Sequence, residues 1–265
     1  ENVSLHDYER IKELVIGKDA LIHVALDYNE GAVNMLQSDT LASVNLFETA
    51  AKAGVKQIIY TSSTASVDFV YMTNYGRNMF ATKPIDEDYT PIPTSFYGAT
   101  KAASEMYLKA IGYTYNVKVN IIRPGYIFGN PVIDGAPTQP DSRFKDLVRK
   151  IKNNETINVA KNDGTQFLWA GSIAKVYAAL LNADMNQEVF FVLGSKFYSW
   201  EKICKTLIAA KQSKSILEVE NADSPDASED STSFGVAKLK EKLGFDFKNE
   251  WKHILEHIEY FYQTV

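Results

Sequence analysis

Four hydroxyl side chains stand in a row where a predicted strand ends: Thr61, Ser62, Ser63 and Thr64 follow the largely apolar residues 55–60. In open parallel α/β sheets, ligands bind at the carboxyl ends of the strands, so hydroxyl groups there can hydrogen bond to a reacting oxygen. A turn rich in Ser and Thr that simply ends the strand has the same composition. Both interpretations stay open on this stretch alone.

Tyr97 and Lys101 place a phenol and an ammonium group four residues apart in a predicted helix. Residues at i and i+4 share one face of a helix, so both groups can approach the same ligand. A neighbouring positive charge favours the phenolate. We therefore expect a lowered Tyr97 pKa and a role for Tyr97 in proton transfer.

The spacing by itself is weak, because Tyr8/Lys12 and Tyr198/Lys202 repeat it. Only Tyr97 lies between a strand that ends in serines and a further buried strand, at a separation that suits a crossover helix. Its place in the order of elements therefore selects Tyr97.

A third stretch, Arg-Pro-Gly-Tyr-Ile-Phe-Gly at 123–129, follows the next predicted strand. Proline and two glycines permit a tight turn and a close approach of the backbone to a ligand. A plain loop after a strand explains the same composition.

These candidate residues lie in an alternation of strand and helix patterns. Apolar runs at 20–26, 55–61 and 117–123 predict buried strands, and periodic stretches at 35–53 and 94–115 predict helices between them. This order implies parallel strands with right-handed crossovers. The predicted fold class is therefore α/β, with a doubly wound parallel sheet.

Beyond Pro124 the pattern changes to shorter elements. Helices are predicted near 142–153, 171–184, 199–210 and 251–262, with short strands near 157–159 and 189–193. We interpret 1–129 as the main-sheet domain and 130–265 as a smaller C-terminal α/β lobe, some of whose segments return to the main sheet. Residues 218–230 carry six acids and no base, and we predict a solvated loop there.

Composition excludes several classes of protein. The 265 residues are 45% hydrophobic and 23% charged, as in ordinary globular domains. A net charge of −5 without a basic run argues against nucleic-acid and anionic-membrane binding, and no apolar stretch reaches the roughly 18 residues of a spanning helix. The single Cys204 cannot form an internal disulfide, so we expect a cytoplasmic protein.

Taken together, the motifs resemble the extended short-chain dehydrogenase/reductases, the NAD-dependent epimerase/dehydratase family. The resemblance rests on Thr-Ser-Ser at 61–63, Tyr-x-x-x-Lys at 97–101 and Arg-Pro-Gly-x-x-x-Gly at 123–129. It is extended by Ile-His-Val-Ala at 22–25, Asn-Leu-Phe-Glu at 45–48 and Leu-Gly-Phe at 243–245. The hydroxyl-rich stretch 61–67 is also similar to that of dihydroflavonol-reductase-like members.

The resemblance implies a Rossmann-like dinucleotide-binding domain, a substrate lobe and a role for each candidate residue. Tyr97 would be the general acid/base, Lys101 would hold the nicotinamide ribose, and Ser63 would hydrogen bond to the reacting oxygen. Cofactor contacts would come from Val24, Ala25, Leu26, Thr61, Ser62, Tyr97, Lys101, Pro124, Gly125 and Ile127. Substrate contacts would come from Thr64, Tyr126 and Gln166. The resemblance also implies NAD or NADP, a small-molecule substrate and a homodimer. No metal site is expected, because an amphipathic surface helix explains His253 and His257.

The family's phosphate-cradling Gly-x-x-Gly-x-x-Gly loop is not found in these residues. That loop belongs to the first strand–helix unit, so we expect about 50–60 residues before Glu1 in the intact protein. The same unit carries the residue that chooses between NAD and NADP, and the choice stays open.

Two departures from the family narrow the reaction, and a third leaves one residue without an assigned role. Sugar-nucleotide dehydratases carry an Asp-Glu pair after the strand-end Thr, whereas Ser63 is followed by Thr64-Ala65, which disfavours dehydration. Gln166 stands where epimerases carry an Arg that meets a diphosphate, and a neutral amide cannot make that charge-assisted contact. Asp39 stands where the family usually has Asn, so we assign it no cofactor or relay role.

Our leading hypothesis is an NAD(P)-dependent oxidoreductase that acts on a secondary alcohol or carbonyl, with Tyr97 as acid/base. One alternative is a sugar or nucleotide-sugar epimerase that uses tightly bound NAD. Another is a non-catalytic NAD(P)-binding or interaction protein. Net consumption of NAD(P)H separates the first hypothesis from the epimerase.

Overall fold

The structure is a computed structural model that describes residues 3–28, 30–67, 84–133 and 142–265. The helices are α1 Tyr8–Val15, α2 Ala32–Met35, α3 Ala42–Lys52, α4 Phe96–Tyr115, α5 Arg143–Lys152, α6 Ala170–Asn182, α7 Trp200–Lys211, α8 Ala237–Leu243 and α9 Glu250–Thr264. The strands are β1 Ala20–His23, β2 Gln57–Thr61, β3 Lys118–Pro124, β4 Ile127–Phe128, β5 Ile157–Ala160, β6 Gly164–Thr165, β7 Leu168–Trp169, β8 Glu188–Val192, β9 Tyr198–Ser199 and β10 Leu217–Glu220. Within the described ranges, none of these helices is both long enough and apolar enough to cross a membrane.

The main sheet has the strand order β1-β2-β3-β8, and all of its pairs are parallel. Every residue of β2 is buried, as is β3 from its second residue onward. Parallel strands need crossover connections and bury both faces, which explains the continuous apolar runs in the sequence. The predicted α/β class with a parallel sheet is confirmed.

The chain divides into two compact units. The first comprises Glu1–Pro124, Lys175–Val192 and Ser233–Gly244, and the second comprises Gly125–Ala174, Leu193–Thr232 and Phe245–Val265. The sequence predicts a domain boundary between residues 129 and 130. The first segment of the first compact unit ends at Pro124, and two later segments also belong to that unit.

The core of the first unit packs α1, α3 and α4 against the sheet. Its largest side chains include Phe47 and Tyr60, both fully buried, whose rings meet edge to face with centroids 5.2 Å apart. His23 at the end of β1 completes this aromatic group, 5.4 Å from the Tyr60 ring. Edge-to-face aromatic contacts of this kind stabilise a core beyond their buried area.

The helical stretch predicted for 35–53 contains an irregularity. A π-helical turn at Leu36–Leu41 lies between α2 and α3, and it buries Ser38, Asp39 and Thr40. Such turns insert an extra residue into a helix and are frequent at functional sites. The helix then ends at Gly54, whose φ of +89° favours glycine, as predicted.

The first strand is shorter than predicted. Its pairing with β2 ends at His23, opposite Tyr60, whereas the apolar run continues to Leu26. Val24 and Leu26 are 58% and 45% exposed, so these apolar side chains lie beyond the carboxyl end of β1 rather than in the core.

The second unit contains two-stranded pairings around its own apolar cluster. The pairs are β4–β7 and β5–β10, which are parallel, and β6–β9, which is antiparallel. Phe144 and Trp200 lie in the cluster with ring centroids 4.8 Å apart. The prediction of a loop over 218–230 is wrong for its first residues. Leu217–Glu220 alternates apolar and acidic residues and forms strand β10. Only the acids on the outer face are solvated there.

Candidate active site

Ser63 begins a short 3₁₀ turn, Thr64–Ser66, directly after β2. Its hydroxyl accepts a hydrogen bond from the Ala65 N–H at 3.1 Å, and its carbonyl accepts one from the Ser66 hydroxyl at 2.9 Å. This local hydrogen bonding is the turn chemistry expected of serine at a strand end. It also fixes the Ser63 side chain at the carboxyl edge of the sheet.

The two hydroxyls before Ser63 have partners inside the first unit. The Thr61 hydroxyl lies 2.7 Å from the Tyr177 hydroxyl, and the Ser62 hydroxyl donates to the Glu105 carboxylate. Both residues are buried. Their predicted contacts with a cofactor remain predictions, and Thr64 is half-buried in the turn.

Helix α4 begins next to this turn. The Ser95 hydroxyl accepts from the Gly98 N–H at 3.0 Å and caps the helix. A Cβ on Gly98 would lie 2.2 Å from the Ala65 carbonyl oxygen, so only glycine allows this approach. The glycine after Tyr97 therefore lets the first turn of α4 reach the Ser63 turn.

The Ser63 side chain lies near enough to the Tyr97 phenol to affect its pKa. Burial raises the Tyr97 pKa above its usual 10, the Ser63 side chain lowers it, and the negative charge of Asp39 raises it again. The predicted lowering of the Tyr97 pKa by Lys101 is therefore wrong. Burial favours the neutral phenol over the charged phenolate. Its effect on the Tyr97 pKa outweighs that of the nearby ammonium group.

Lys101 lies one turn further along α4, and its side chain is 3% exposed. Its Nζ lies 3.5 Å from Asp39 Oδ2, 5.3 Å from the Tyr60 ring centroid and 5.8 Å from the Tyr97 ring centroid. Burial lowers the Lys101 pKa, and the Asp39 carboxylate opposes that shift. The structure therefore brings together the three predicted catalytic groups, Ser63, Tyr97 and Lys101, with Asp39 as a fourth member.

Sequence reasoning missed a second buried ion pair in the same unit. Arg123 donates from Nε and Nη2 to the two oxygens of Glu105, at 2.9 and 2.7 Å, and both side chains are 3% exposed. The signal was present, because Glu105 follows Lys101 by four residues on the same face of α4. This bidentate pair joins α4 to β3 and engages the Ser62 hydroxyl.

The other two Tyr-x-x-x-Lys pairs lie in different surroundings. On α1, Lys12 pairs with Glu9 at 2.6 Å, and Tyr8 is 37% exposed. In the second unit, Lys202 lies 5.0 Å from the centroid of the Tyr198 ring and pairs with Glu229. The Ser199 hydroxyl accepts from the Lys202 N–H at 3.1 Å and caps α7. The selection of Tyr97 stays a prediction.

The remaining predicted cofactor contacts divide between the two units. Val24, Ala25 and Leu26 are exposed after β1, and Pro124 is the buried last residue of β3. Gly125 and Ile127 belong to the second unit and are half-buried. Their roles toward a cofactor remain predictions.

The predicted substrate contacts of the second unit are engaged in its interior. The Tyr126 ring packs edge to face against Phe167, with centroids 5.2 Å apart. Gln166 is 2% exposed, and its amide donates to the Gly194 carbonyl at 3.1 Å. The described residues contain no group of three or more His, Cys, Asp or Glu side chains that could hold a metal ion.

A sequence profile of the NAD dependent epimerase/dehydratase family matches residues 1–194. The chain belongs to this family. The match spans the Ser63 turn, the Tyr97/Lys101 face of α4 and the Arg-Pro-Gly segment, so the resemblance found in the motifs is confirmed.

Two named relatives match parts of the chain. The chain is 27% identical over 171 residues to a putative UDP-glucose 4-epimerase of Methanocaldococcus jannaschii, which is 64% of this chain and 52% of that protein. It is 30% identical over 128 residues to a uronate dehydrogenase of Pseudomonas putida, which is 48% of this chain and 44% of that protein. The chain thus spans about half the length of these relatives.

Solved structures share the fold over nearly the whole chain. RMD from Pseudomonas aeruginosa, complexed with NADPH, has a TM-score of 0.80 at 21% identity, covering 100% of this chain and 89% of that one. UDP-glucuronic acid 4-epimerase from Bacillus cereus, in complex with NAD, has a TM-score of 0.75 at 16% identity, covering 96% and 78%. At these identities the likeness establishes the Rossmann-like fold.

Proposed function

We propose that the protein is an NAD(P)-dependent oxidoreductase that transfers a hydride between nicotinamide and a secondary alcohol or carbonyl, with Tyr97 as the acid/base. The observation that carries this proposal is the close approach of the first turn of α4, which bears Tyr97, to the Ser63 turn, beside the buried Lys101 ammonium group. A hydroxyl, a phenol and an ammonium group then converge at the carboxyl edge of a parallel sheet, where α/β folds bind their ligands.

Each of the three residues has a distinct role. Ser63 orients the substrate oxygen by a hydrogen bond, since its turn fixes the hydroxyl. Tyr97 gives a proton to that oxygen when a carbonyl is reduced, or removes one when an alcohol is oxidised. Lys101 holds a ribose hydroxyl of the cofactor and stabilises the negative charge on Tyr97.

The residues at the sheet edge fit a nicotinamide dinucleotide. An ammonium group has three N–H donors, and Asp39 is the ion-pair partner of Lys101 in the described part of the chain, so donors remain for ribose hydroxyls. Val24 and Leu26 offer exposed apolar side chains beside β1, which suits a flat ring system. When bound, the cofactor supplies or takes up the hydride. Family relatives of this fold bind NAD and NADPH, which supports the same cofactor class here.

A sugar epimerase is the second candidate. It is favoured by two relatives, one named a putative UDP-glucose 4-epimerase from Methanocaldococcus jannaschii and one named a UDP-glucose 4-epimerase from Mycolicibacterium smegmatis. Gln166 weighs against a diphosphate-bearing substrate, because a neutral amide that donates to Gly194 offers no positive charge. Nor do we propose a dehydratase, since Thr64 and Ala65 supply no carboxylate after Ser63.

We further propose a homodimer formed by α4 and the helical stretch before and within α3. Large apolar side chains on these helices are exposed, among them Leu41, Met106 and Tyr113. Soluble monomers rarely leave such a group in water. Light scattering of the full-length protein should give twice the chain mass, and Met106→Asp should reduce it to one.

The test of the catalytic proposal is Tyr97→Phe in the full-length protein. We expect turnover with NADH or NADPH and small aldehydes, ketones and sugar substrates to fall by about 10²- to 10⁴-fold, the usual contribution of a general acid/base. Cofactor affinity, measured by fluorescence titration, should stay within about threefold because the phenol oxygen acts on the substrate.

Tyr8→Phe is the matched control, because Tyr8 has the same spacing to a lysine on a different helix. It should keep wild-type turnover. Full turnover in Tyr97→Phe would contradict the assignment. An epimer formed without net NAD(P)H consumption would favour the second candidate.

A further inference from the structure

The Tyr97 site contains a buried carboxylate that the roles above do not use. Asp39 is fully buried in the π-helical turn, and its Oδ2 lies 3.5 Å from Lys101 Nζ. In the described part of the chain, neither Asp39 oxygen has a hydrogen-bond partner apart from this contact. The carboxylate is thus committed to one ammonium group.

The ammonium group is enclosed by that carboxylate and two aromatic rings. The Lys101 Nζ lies 5.3 Å from the Tyr60 ring centroid and 5.8 Å from that of Tyr97, in a position that is 3% exposed. Away from water, charges interact strongly over such distances. The net charge of the Asp39–Lys101 pair therefore affects the pKa of the Tyr97 phenol.

In the described part of the chain, several elements near Tyr97 carry ionisable groups. On α4 these are Lys101 and Glu105, with Arg123 on β3, Tyr60 on β2, His23 on β1, Tyr28 and Glu30 in the loop after β1, and Asp39 in the π-helical turn. His23 is uncharged at neutral pH, since burial and the Lys101 charge lower its pKa to about 4. Glu30 is exposed.

Among the described residues named above, the buried charges sum to zero. Glu105 and Arg123 cancel in their bidentate pair, and Asp39 cancels Lys101. With an uncharged side chain at position 39, the same set would have a net charge of +1. Asp39 therefore removes the positive charge that would otherwise favour a phenolate at Tyr97.

We propose that Asp39 is a positioning residue that neutralises Lys101, so that Tyr97 rests as a neutral phenol and the site is set to protonate a carbonyl oxygen. In that direction the Tyr97 O–H bond breaks as its proton passes to the oxygen of the reduced carbonyl. The electron pair stays on the phenol oxygen, which becomes a phenolate. The catalytic part of this inference rests on the proposed function.

The charge relation is tested without substrate, by NMR of protein labelled with ¹³C at tyrosine Cζ. The resonance missing from Tyr97→Phe identifies Tyr97 among the 15 tyrosines. In the wild-type protein, Tyr97 should titrate above pH 10, because burial and the Asp39 charge both raise its pKa. Titration below pH 10 in the wild type would overturn the proposal, and this measurement needs no variant to fold.

Asp39→Asn removes the charge and keeps the size of the side chain. We expect the Tyr97 pKa to fall by about one unit or more, the effect of removing a nearby like charge. Asp39→Glu keeps the charge and should leave the Tyr97 pKa close to that of the wild type. An unmoved Tyr97 resonance in Asp39→Asn would overturn the proposal.

Glu48→Gln is the matched control. Glu48 is also a carboxylate beside a lysine and a tyrosine, but it contacts Lys52 and Tyr115 at the surface. Its removal should leave the Tyr97 resonance unmoved. If Glu48→Gln shifts the Tyr97 pKa as much as Asp39→Asn does, the shift is not specific to Asp39 and the proposal is overturned.

The pH dependence of turnover gives a second readout. Alcohol oxidation needs the phenolate, so its rate rises with pH through the Tyr97 pKa, and Asp39→Asn should move that rise to lower pH by the same amount as the NMR shift. A rise at the same pH in both proteins would overturn the catalytic part. Absence of turnover with every substrate would instead count against the proposed function, while the NMR result stands by itself.

Discussion

Two clusters in the first unit contain the same three kinds of side chain, a carboxylate, a lysine and a tyrosine. One is the buried cluster of Asp39, Lys101 and Tyr97, and the other is the surface cluster of Glu48, Lys52 and Tyr115. In the buried cluster the lysine lies 5.8 Å from the tyrosine ring centroid, and in the surface cluster it lies 5.9 Å from it. The composition and spacing are therefore closely matched, and the burial differs.

The lysine pKa shifts in opposite directions in the buried and the surface cluster. The Lys101 pKa is lowered because the ammonium loses its hydration, although Asp39 partly restores it. The Lys52 pKa is raised, first by its hydrogen bond to Glu48. Both tyrosine pKa values are raised, Tyr97 mainly by burial and Tyr115 mainly by donating to Glu48. The same kinds of side chain thus differ in the direction of the lysine pKa shift according to whether water is excluded.

The largest stability effect should come from breaking the second buried ion pair of the first unit, Glu105–Arg123. Glu105→Gln removes one charge and leaves the Arg123 guanidinium buried without a counter-ion. We expect a loss of about 3–5 kcal/mol in the free energy of unfolding, as found when one partner of a buried pair is removed. Urea denaturation of the two proteins measures the difference.

The control for this prediction is an exposed pair on the same sheet. Asp19 and Lys56 lie 2.8 Å apart, and both side chains are about four-fifths exposed (83% and 78%). Asp19→Asn should leave the urea midpoint unchanged, because water already screens both charges. Equal losses in the free energy of unfolding in Glu105→Gln and Asp19→Asn would show that burial does not determine how much these ion pairs stabilise the protein.

The sequence predicts the backbone of this site better than its electrostatics. The order of strands and helices places Ser63 and Tyr97 at one sheet edge, because apolar runs and helical periodicity report burial directly. The Asp39 contact depends on a π-helical turn, which periodicity does not predict. The Tyr97 pKa was predicted with the wrong sign, since spacing shows that Lys101 is near but not that both groups are buried.

The short pairings of the second unit were predicted less well for a related reason. The strand Leu217–Glu220 has only two apolar residues, and acids alternate with them, so its composition resembles that of a loop. Its pairing with Ile157–Ala160 is set by contacts that are distant in the sequence. Tertiary pairing of this kind overrides local composition.

A prediction of intermediate size concerns acid stability. Burial lowers the pKa of His23 in the first unit and of His257 in the second to about 4, from 6.5. Below pH 6.5 the unfolded chain takes up a proton at each position and the folded chain does not until about pH 4. Each histidine should therefore lower the free energy of unfolding by up to about 3 kcal/mol as pH falls through that window.

His23→Gln should remove one part of this pH dependence, and His257→Gln the other part. Urea denaturation gives the free energy of unfolding of each variant at pH 7 and at pH 4.5. The difference between the two pH values is compared among the variants, so that any pH-independent effect of a substitution cancels. His6→Gln is the control, since His6 is an exposed residue of the first unit. A His23→Gln protein that loses as much stability on acidification as the wild type would contradict a buried, neutral His23.

The smallest effects are expected in the surface cluster, where the carboxylate and the lysine act on Tyr115 in opposite directions. Glu48→Gln should lower the Tyr115 pKa toward its ordinary value, because the acceptor that lies 2.6 Å from the phenol oxygen loses its negative charge. Lys52→Met should raise the Tyr115 pKa further, because the lysine charge lowers it. Tyrosine-labelled NMR measures both shifts, with Tyr115→Phe to assign the resonance. Neither variant should move the thermal midpoint by more than about 3 °C, since exposed ion pairs contribute little to stability. A Tyr115 shift as large as that of Tyr97 in Asp39→Asn would mean that the type of side chain, rather than its burial, sets the size of the response.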